Sequence, residues 1–239
     1  LDPAKVTTSA DGMTLDATGL SWAGQQKHSA GRVHVEISRD NGAYVWRIEA
    51  EHEEPLKVIK LLLWALPESA FAQGWWQPTS TAGRTAVPTA TAPVRWNYPW
   101  REWLTPWACA GEQDGAPLVS ISLRDDHLRA KRLYTHLPPY ADTKPVVEVI
   151  YEEDAARWGS TIRTCEMRLR VTNSLAAINA DFEAHLAFTE AAYNLRPWET
   201  RTDVPDWMRE IKLVLNLHGQ HWTGYVFNTF DQMGEALKT

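Results

Sequence analysis

The residues whose types are best suited to chemistry lie close together near the end of the sequence: His218, Gln220, His221 and Trp222. Imidazole and amide groups donate and accept hydrogen bonds, and an indole ring adds a flat apolar surface. The two histidines could also bind a metal ion, but no cysteine or carboxylate accompanies them at the spacing of a zinc site. The run therefore predicts a hydrogen-bonding and stacking loop without a metal. The alternative is that these side chains only pack around a turn.

A strand and a helix flank this loop and would position it. Residues 211–217 form an almost continuous apolar run, which is typical of a strand buried on both faces of a parallel sheet. After the loop, Thr229 and Gln232 have the spacing of a capping box, which predicts a helix with an apolar face over residues 230–237. Because a parallel strand needs parallel neighbours, this βα unit is expected to begin a larger α/β domain.

The first 172 residues are dominated by the period-two alternation of half-buried strands. Around residues 33–38, valine and isoleucine alternate with polar residues, and Asn41 and Gly42 then have the sequence of a type I′ hairpin turn. Residues 58–66 are apolar nearly throughout and are expected to form a central strand. Further strands are predicted at residues 118–123, 128–135, 146–151 and 161–172. Many alternating strands with turns between them predict a mainly β fold, a sandwich of two antiparallel sheets over residues 1–172.

Residues 68–111 interrupt this pattern with a segment rich in proline, threonine, alanine and tryptophan. Disordered segments are poor in aromatic residues, so we expect an ordered excursion without regular strands. Its tryptophans could form a stacking surface for a ligand or an apolar plug between the sandwich and the next domain. The plug is favoured because clustered aromatic side chains are usually buried at interfaces. The candidates for the stacking surface are Trp75, Trp76, Trp96 and Trp100.

After residue 172 the spacing of apolar residues changes to three and four, which predicts a helix. Asn173 or Ser174 can cap this helix, and it is expected to run to about residue 193. Two prolines within residues 196–205 then predict an extended linker. The predicted parts are a β-sandwich (1–172), a linking helix and linker (173–205) and a first βα unit (206–239).

This order of elements resembles the front part of glycoside hydrolases in which a β-supersandwich, of the galactose-mutarotase type, precedes a (β/α)8 barrel. α-Galactosidase-like enzymes have this layout. The resemblance is carried by the predicted helix 174–193, by the Pro-Asp-Trp of residues 205–207 and by the strand and loop of residues 211–224. Residues 217–225 are also similar to uncharacterised barrel proteins of the same layout.

The resemblance implies a carbohydrate partner, no cofactor and, as an intramolecular partner, the rest of a barrel. The loop after Leu217 would lie at the carboxyl-terminal mouth of that barrel. His218, Gln220 and His221 would hydrogen-bond sugar hydroxyls there, while Trp222 would stack on the apolar face of a pyranose ring. In the resembling families the catalytic carboxylates come from later barrel strands. No catalytic residue is therefore assigned, and this segment alone is expected to be inactive.

Two alternatives need no barrel. One is a stand-alone carbohydrate-binding, lectin-like module, and the other is a structural domain that docks a protein through its tryptophan-rich segment. Other classes are excluded more firmly. The net charge of −6 without a basic cluster argues against nucleic acid, and no apolar run reaches the length of a membrane span. Serine-elbow, phosphate-loop and dinucleotide motifs are missing. Cys109 and Cys165 could pair or stay free, so the compartment, cytoplasmic or secreted, stays open.

Overall fold

Alternating apolar and polar residues build two antiparallel sheets in this protein. The computed structural model describes residues 1–64, 66–71, 75–76, 84–85, 94–100, 103–136, 146–211, 219 and 223–238, with the backbone alone at 75–76, 84–85 and 136. Two compact units are present, Leu1–Leu195 and Arg196–Thr239. Both sheets belong to the first unit.

The larger sheet has ten described strands, and every pair of neighbours is antiparallel. Its strands are β1 (Val6–Thr8), β2 (Thr14–Trp22), β3 (Lys27–Asp40), β4 (Ala43–Leu56), β6 (Trp75–Trp76), β7 (Arg84–Thr85), β9 (Trp107–Ala110), β10 (Leu118–Arg124), β13 (Gly159–Arg163) and β14 (Glu166–Thr172). They are ordered β1-β2-β3-β4-β14-β10-β9-β6-β7, and β13 pairs with β4 as well.

The smaller sheet has four described strands in the order β5-β12-β11-β8. These are β5 (Val58–Leu63), β8 (Val94–Tyr98), β11 (Lys131–His136) and β12 (Val146–Glu152). The inner faces of the two sheets share one apolar core, to which the larger sheet contributes Ile48, Ile121 and Met167 and the smaller sheet Leu133, Val149 and Tyr151. Each buried aliphatic or aromatic side chain contributes about 1.5–3 kcal/mol by leaving water. The predicted mainly β, two-sheet character is confirmed.

The hairpin between β3 and β4 forms as predicted. Asn41 and Gly42 have φ values of 47° and 80°, and Asp40 pairs with Ala43 across the turn. Two positive φ values in succession are the geometry of a type I′ turn, whose twist matches that of the strands.

Three predictions about strands need correction. The strand β5 is an edge strand instead of a central one, and it ends at Leu63. Only its alternate residues face the core, so an apolar run here is half exposed. The predicted strand 161–172 is two strands, because the five residues from Arg163 to Met167 oppose four residues on β4, which is a bulge. Residues 94–98 and 107–110, expected within a strandless excursion, are strands β8 and β9.

The remaining helices of the first unit are the short α1 (Glu68–Phe71), two 3-10 turns (Pro3–Lys5 and Ala155–Arg157) and the long α2 (Leu175–Ala192). Ser174 caps α2 by accepting from Ala177 N at 3.3 Å. The apolar face of α2 packs on the outer face of the larger sheet, where Ile178 joins Trp107 and Leu118 in a second cluster. The predicted helix is therefore present, and it is part of the first unit.

The second unit contains a 3-10 turn (Trp198–Thr200), α3 (Asp206–Arg209) and α4 (Phe230–Ala236). The predicted capping box is confirmed: Thr229 Oγ1 accepts from Gln232 N at 3.3 Å, and Gln232 Oε1 accepts from Thr229 N at 2.8 Å. The strand predicted at residues 211–217 lies outside the described residues, except for Ile211. None of the described helices is long and apolar enough to span a membrane.

Candidate functional site

Most residues of the predicted site lie outside the part of the chain whose side chains the structure describes. His218, Gln220, His221 and Trp222 lie outside the described residues, and so do the side chains of Trp75 and Trp76, whose backbone forms β6. Trp100 is described and is 61% exposed. The neighbouring tryptophans Trp96 and Trp103 are instead buried in the core, where Trp103 Nε1 donates to the carbonyl of Trp107 at 2.8 Å.

A different site is built on the outer face of the larger sheet, where β2, β3, β4 and β13 lie side by side. Cross-strand pairing aligns Asp16, His34, Glu49 and Arg163 in one row over these four strands. The next row along the strands aligns Arg32, Glu51 and Thr161. We call these seven residues the charged face. Their apolar neighbours in sequence, such as Val33, Val35 and Ile48, point to the core. Because successive side chains of a strand point to opposite faces, the charged residues point outward.

Three adjoining cavities of about 620, 410 and 260 Å³ follow the charged face. The largest is lined by Thr18, Ala30, Gly31, Arg32, Glu51, His52, Glu53, Ser160 and Thr161. It shares Arg32 and Glu51 with the second cavity, which shares His34 and Glu49 with the third. The cavities therefore form one polar groove that is open to solvent.

His34 is held between two carboxylates in this groove. Its Nδ1 lies 2.8 Å from Asp16 Oδ1, and its Nε2 lies 3.5 Å from Glu36 Oε1. The hydrogen bond with Asp16 raises the pKa of His34, and Glu36 adds to the effect. The imidazolium form is therefore favoured at a higher pH than in a free histidine, and it balances the charge of its neighbours.

Two arginines of the same face are already paired. Arg163 Nη2 donates to Glu49 Oε1 at 2.9 Å, which raises the pKa of Arg163. Arg47 Nη2 donates to Glu166 Oε2 at 2.6 Å. Pairs of this kind between opposite strands contribute about 0.2–1 kcal/mol each, so this part of the face stabilises the sheet.

Arg32 and Glu51 differ from the other charged groups of this face. They are cross-strand partners, yet neither forms an ion pair or side-chain hydrogen bond with any described residue. Both line the largest cavity, next to His52, whose Nε2 lies 2.7 Å from Ser29 Oγ. An exposed guanidinium and an exposed carboxylate beside hydroxyl groups can hydrogen-bond a polar ligand, although the charge of Glu51 also contributes to raising the pKa of Arg163.

Neither a metal nor a thiol site emerges from the described residues. Asp125, Asp126 and His127 bring three potential ligand atoms together, but the Asp125 carboxylate accepts hydrogen bonds from Arg129 and Lys131. Those cations occupy the oxygens that a metal would need. Cys109 and Cys165 are buried free thiols, and burial raises the pKa of each to about 12, so both are unreactive.

Comparison with known proteins does not add a function: no family model and no curated protein matches this chain. The charged face itself was only partly predictable. The alternation around residues 33–38 shows that His34 lies on a polar face. It does not show that Asp16 and Glu49 flank His34, because strand pairing decides which residues are opposite each other.

Proposed function

We propose that this chain is the amino-terminal, non-catalytic portion of a carbohydrate-active enzyme, most simply a glycoside hydrolase. The first unit would be a sandwich of the supersandwich type that supports the catalytic domain and shapes its substrate mouth. The helix α2 and the residues after it would link the sandwich to that domain. Residues 206–239 would supply the first βα unit of a (β/α)8 barrel, with His218, Gln220, His221 and Trp222 at its mouth.

The observation that carries this proposal is the exposed apolar surface of the second unit. Phe230 is 89% exposed, Tyr225 66% and Leu237 63%. The helix α4 is nevertheless properly capped, and Phe230 and Leu237 are spaced to share one of its faces. A helix with an apolar face is stable when another element covers that face. Further strands and helices of a barrel would cover this surface.

A second candidate, a carbohydrate-binding module that needs no barrel, is favoured by the charged face. Its largest cavity of about 620 Å³ offers Arg32, Glu51, Ser160 and Thr161 as hydrogen-bonding groups within the first unit. Guanidinium, carboxylate and hydroxyl groups can all exchange hydrogen bonds with sugar hydroxyls. The two proposals share the ligand class and differ in whether a catalytic domain is involved.

The first experiment is an intact mass of the natural protein, with a hydrolase assay on aryl glycosides. The enzyme proposal predicts a mass above 27.1 kDa by about 250 residues of barrel, and activity in the natural protein but not in this chain. A natural protein of 27.1 kDa would contradict the enzyme proposal. A longer protein that is inactive on every glycoside of a broad panel would contradict it as well.

The binding proposal is tested with a panel of oligosaccharides by calorimetry on this chain. Substitution of Arg32→Ala or Glu51→Gln should weaken binding about tenfold, because each removes a charged hydrogen-bonding group. Arg157→Ala is the matched control, since Arg157 is exposed and lies outside the cavities. Binding that is equal in all four proteins would place the ligand elsewhere. Binding of a protein partner, without any glycan, would favour the protein-docking alternative.

A further inference from the structure

Three nitrogen atoms beneath α2 are buried without a hydrogen-bond partner among the described residues. They are Trp107 Nε1, Arg124 Nε and His185 Nδ1. Trp107 is 7% exposed and His185 only 1%. A buried polar group left without a partner costs about 1–3 kcal/mol, and three in one place call for a common explanation.

Contacts along α2 place these three nitrogens in the same region. Phe182, His185 and Phe188 follow each other at intervals of three residues and therefore share a helical face. The Phe182 ring lies 4.8 Å from the Trp107 ring, and the Phe188 ring lies 5.8 Å from Arg124 Cζ. His185 thus lies on the helix between the residues that cover Trp107 and Arg124.

The positions of Trp107 and Arg124 on the larger sheet agree with this placement. Trp107 pairs with Ser122, and Arg124 is two residues further along β10, so Trp107 and Arg124 are diagonal neighbours on one face. His185 Nε2 lies 2.7 Å from Thr105 Oγ1, just before β9. The residues that carry the three nitrogens therefore line one stretch of the interface between α2 and the sheet.

A group that binds all three nitrogens has to accept hydrogen bonds from them. The indole and guanidinium nitrogens can only donate. Burial, with a smaller effect from Arg124, lowers the pKa of His185 to about 4, so the ring is neutral at pH 7. In the tautomer in which the Thr105 hydroxyl donates to Nε2, Nδ1 carries the proton and is a third donor.

The positive charge of Arg124 favours an anion over a water molecule in this position. Glu166 already accepts from Arg47 at 2.6 Å and from Arg168 at 2.7 Å. Arg124 Nη1 reaches the same carboxylate only at 3.8 Å, so Glu166 compensates the charge of Arg124 less than the charges of Arg47 and Arg168. We propose that a small monovalent anion, of the halide type, binds between α2 and the larger sheet through the N–H groups of Trp107, Arg124 and His185. This site is independent of any carbohydrate function.

Crystals grown in sodium bromide give the direct test. The proposal predicts an anomalous bromide peak within about 3.5 Å of Trp107 Nε1, Arg124 Nε and His185 Nδ1. Water density without an anomalous signal at this position, or bromide found only elsewhere on the surface, would overturn it.

Thermal unfolding provides a second measurement in solution. At equal ionic strength, the melting temperature should be about 3 °C or more higher in sodium bromide than in sodium gluconate, because the halide is the smaller anion and can bind between α2 and the sheet. Trp107→Phe keeps the ring on Phe182 but removes the N–H, and should abolish most of that difference. Equal melting temperatures of the unsubstituted protein in the two salts would contradict the proposal, as would an undiminished difference in Trp107→Phe.

Discussion

The ammonium group of Lys131 donates to Asp125 Oδ2 at 2.6 Å, and the two side chains are only 0% and 1% exposed. Lys131 also donates to the carbonyl of Arg129 at 2.6 Å and lies 5.1 Å from the Tyr98 ring. Arg129 Nη2 adds a second cation to Asp125 at 2.8 Å. These contacts hold the loop that leads from β10 in the larger sheet to β11 in the smaller one. The pair therefore connects the two layers of the fold.

Removing the charge of Asp125 should be strongly destabilising. We expect Asp125→Asn to lower the free energy of unfolding by about 3–5 kcal/mol, because Lys131 would stay buried without its counter-charge. Urea denaturation followed by circular dichroism measures the change. Asp126→Asn is the control, since the Asp126 side chain is 62% exposed and should change stability by less than about 0.5 kcal/mol. Equal effects of the two substitutions would contradict this role of Asp125.

The same pair should make stability depend on acid pH. Burial alone would raise the pKa of Asp125, but hydrogen bonds from Arg129 and Lys131 outweigh it and hold the pKa at about 2. Because this pKa is below the unfolded value of about 3.9, the stabilisation is complete above about pH 5 and is lost as the pH falls toward 2. Urea midpoints between pH 6 and pH 2 should fall more steeply in the unsubstituted protein than in Asp125→Asn. Parallel curves would exclude Asp125 as the source.

The attachment of α2 to the sheet should depend on the shape of the Arg170 side chain. Arg170 donates through Nε and Nη2 to the two oxygens of Asp181, each at 2.7 Å, and Ser120 Oγ donates to the same carboxylate. Arg170→Lys keeps the charge but loses the bidentate bond, and should cost about 1.5–3 kcal/mol. Faster amide exchange in α2 would locate the loss, while Arg157→Lys, at an exposed position, should leave exchange unchanged. An α2 as protected in Arg170→Lys as before would refute this attachment.

The hairpin turn gives a test of backbone strain. Gly42 has φ of 80°, and a Cβ there would lie 2.8 Å from Arg170 Nη1. Gly12 has a similar φ of 69° but nothing within 4 Å of its Cβ position. Positive φ alone should make each alanine substitution cost about 1–2 kcal/mol. We expect Gly42→Ala to cost more than Gly12→Ala in thermal unfolding, because Arg170 is fixed by Asp181. A smaller loss at Gly42 would show that Arg170 moves freely.

His34 should titrate at a higher pH than an ordinary histidine. Its hydrogen bond with Asp16 raises the pKa of His34 above the usual value of about 6.5. The resulting stabilisation is complete below that unfolded value and is lost as the pH rises through the folded pKa. NMR titration of the imidazole measures the pKa directly, and Asp16→Asn should lower it. Asp11→Asn, on an exposed turn, is the control. An unchanged pKa in Asp16→Asn would show that Glu36 or another group causes the shift.

Local patterns in the sequence were enough to predict most individual elements. The alternation around residue 35, the Asn41-Gly42 turn, the Ser174 cap and the Thr229–Gln232 capping box each involve residues close in sequence. Their energetics are set by neighbours within a few positions, so the sequence predicts them without knowledge of the fold. The strand β8 was missed although Val94, Trp96 and Tyr98 do alternate, because proline and threonine dominate the surrounding segment.

The sequence by itself determined that this is a mainly β protein with one long helix and a capped helix near residue 230. Only the tertiary structure decided that β5 is an edge strand and that Asp16, His34 and Glu49 share a row. It also decided that His185 lies between the residues that cover Trp107 and Arg124. The physical reason is that periodicity fixes which face a residue occupies, whereas the order and register of strands fix its neighbours. Those neighbours come from distant parts of the chain, and they determine the charges and hydrogen bonds of a site.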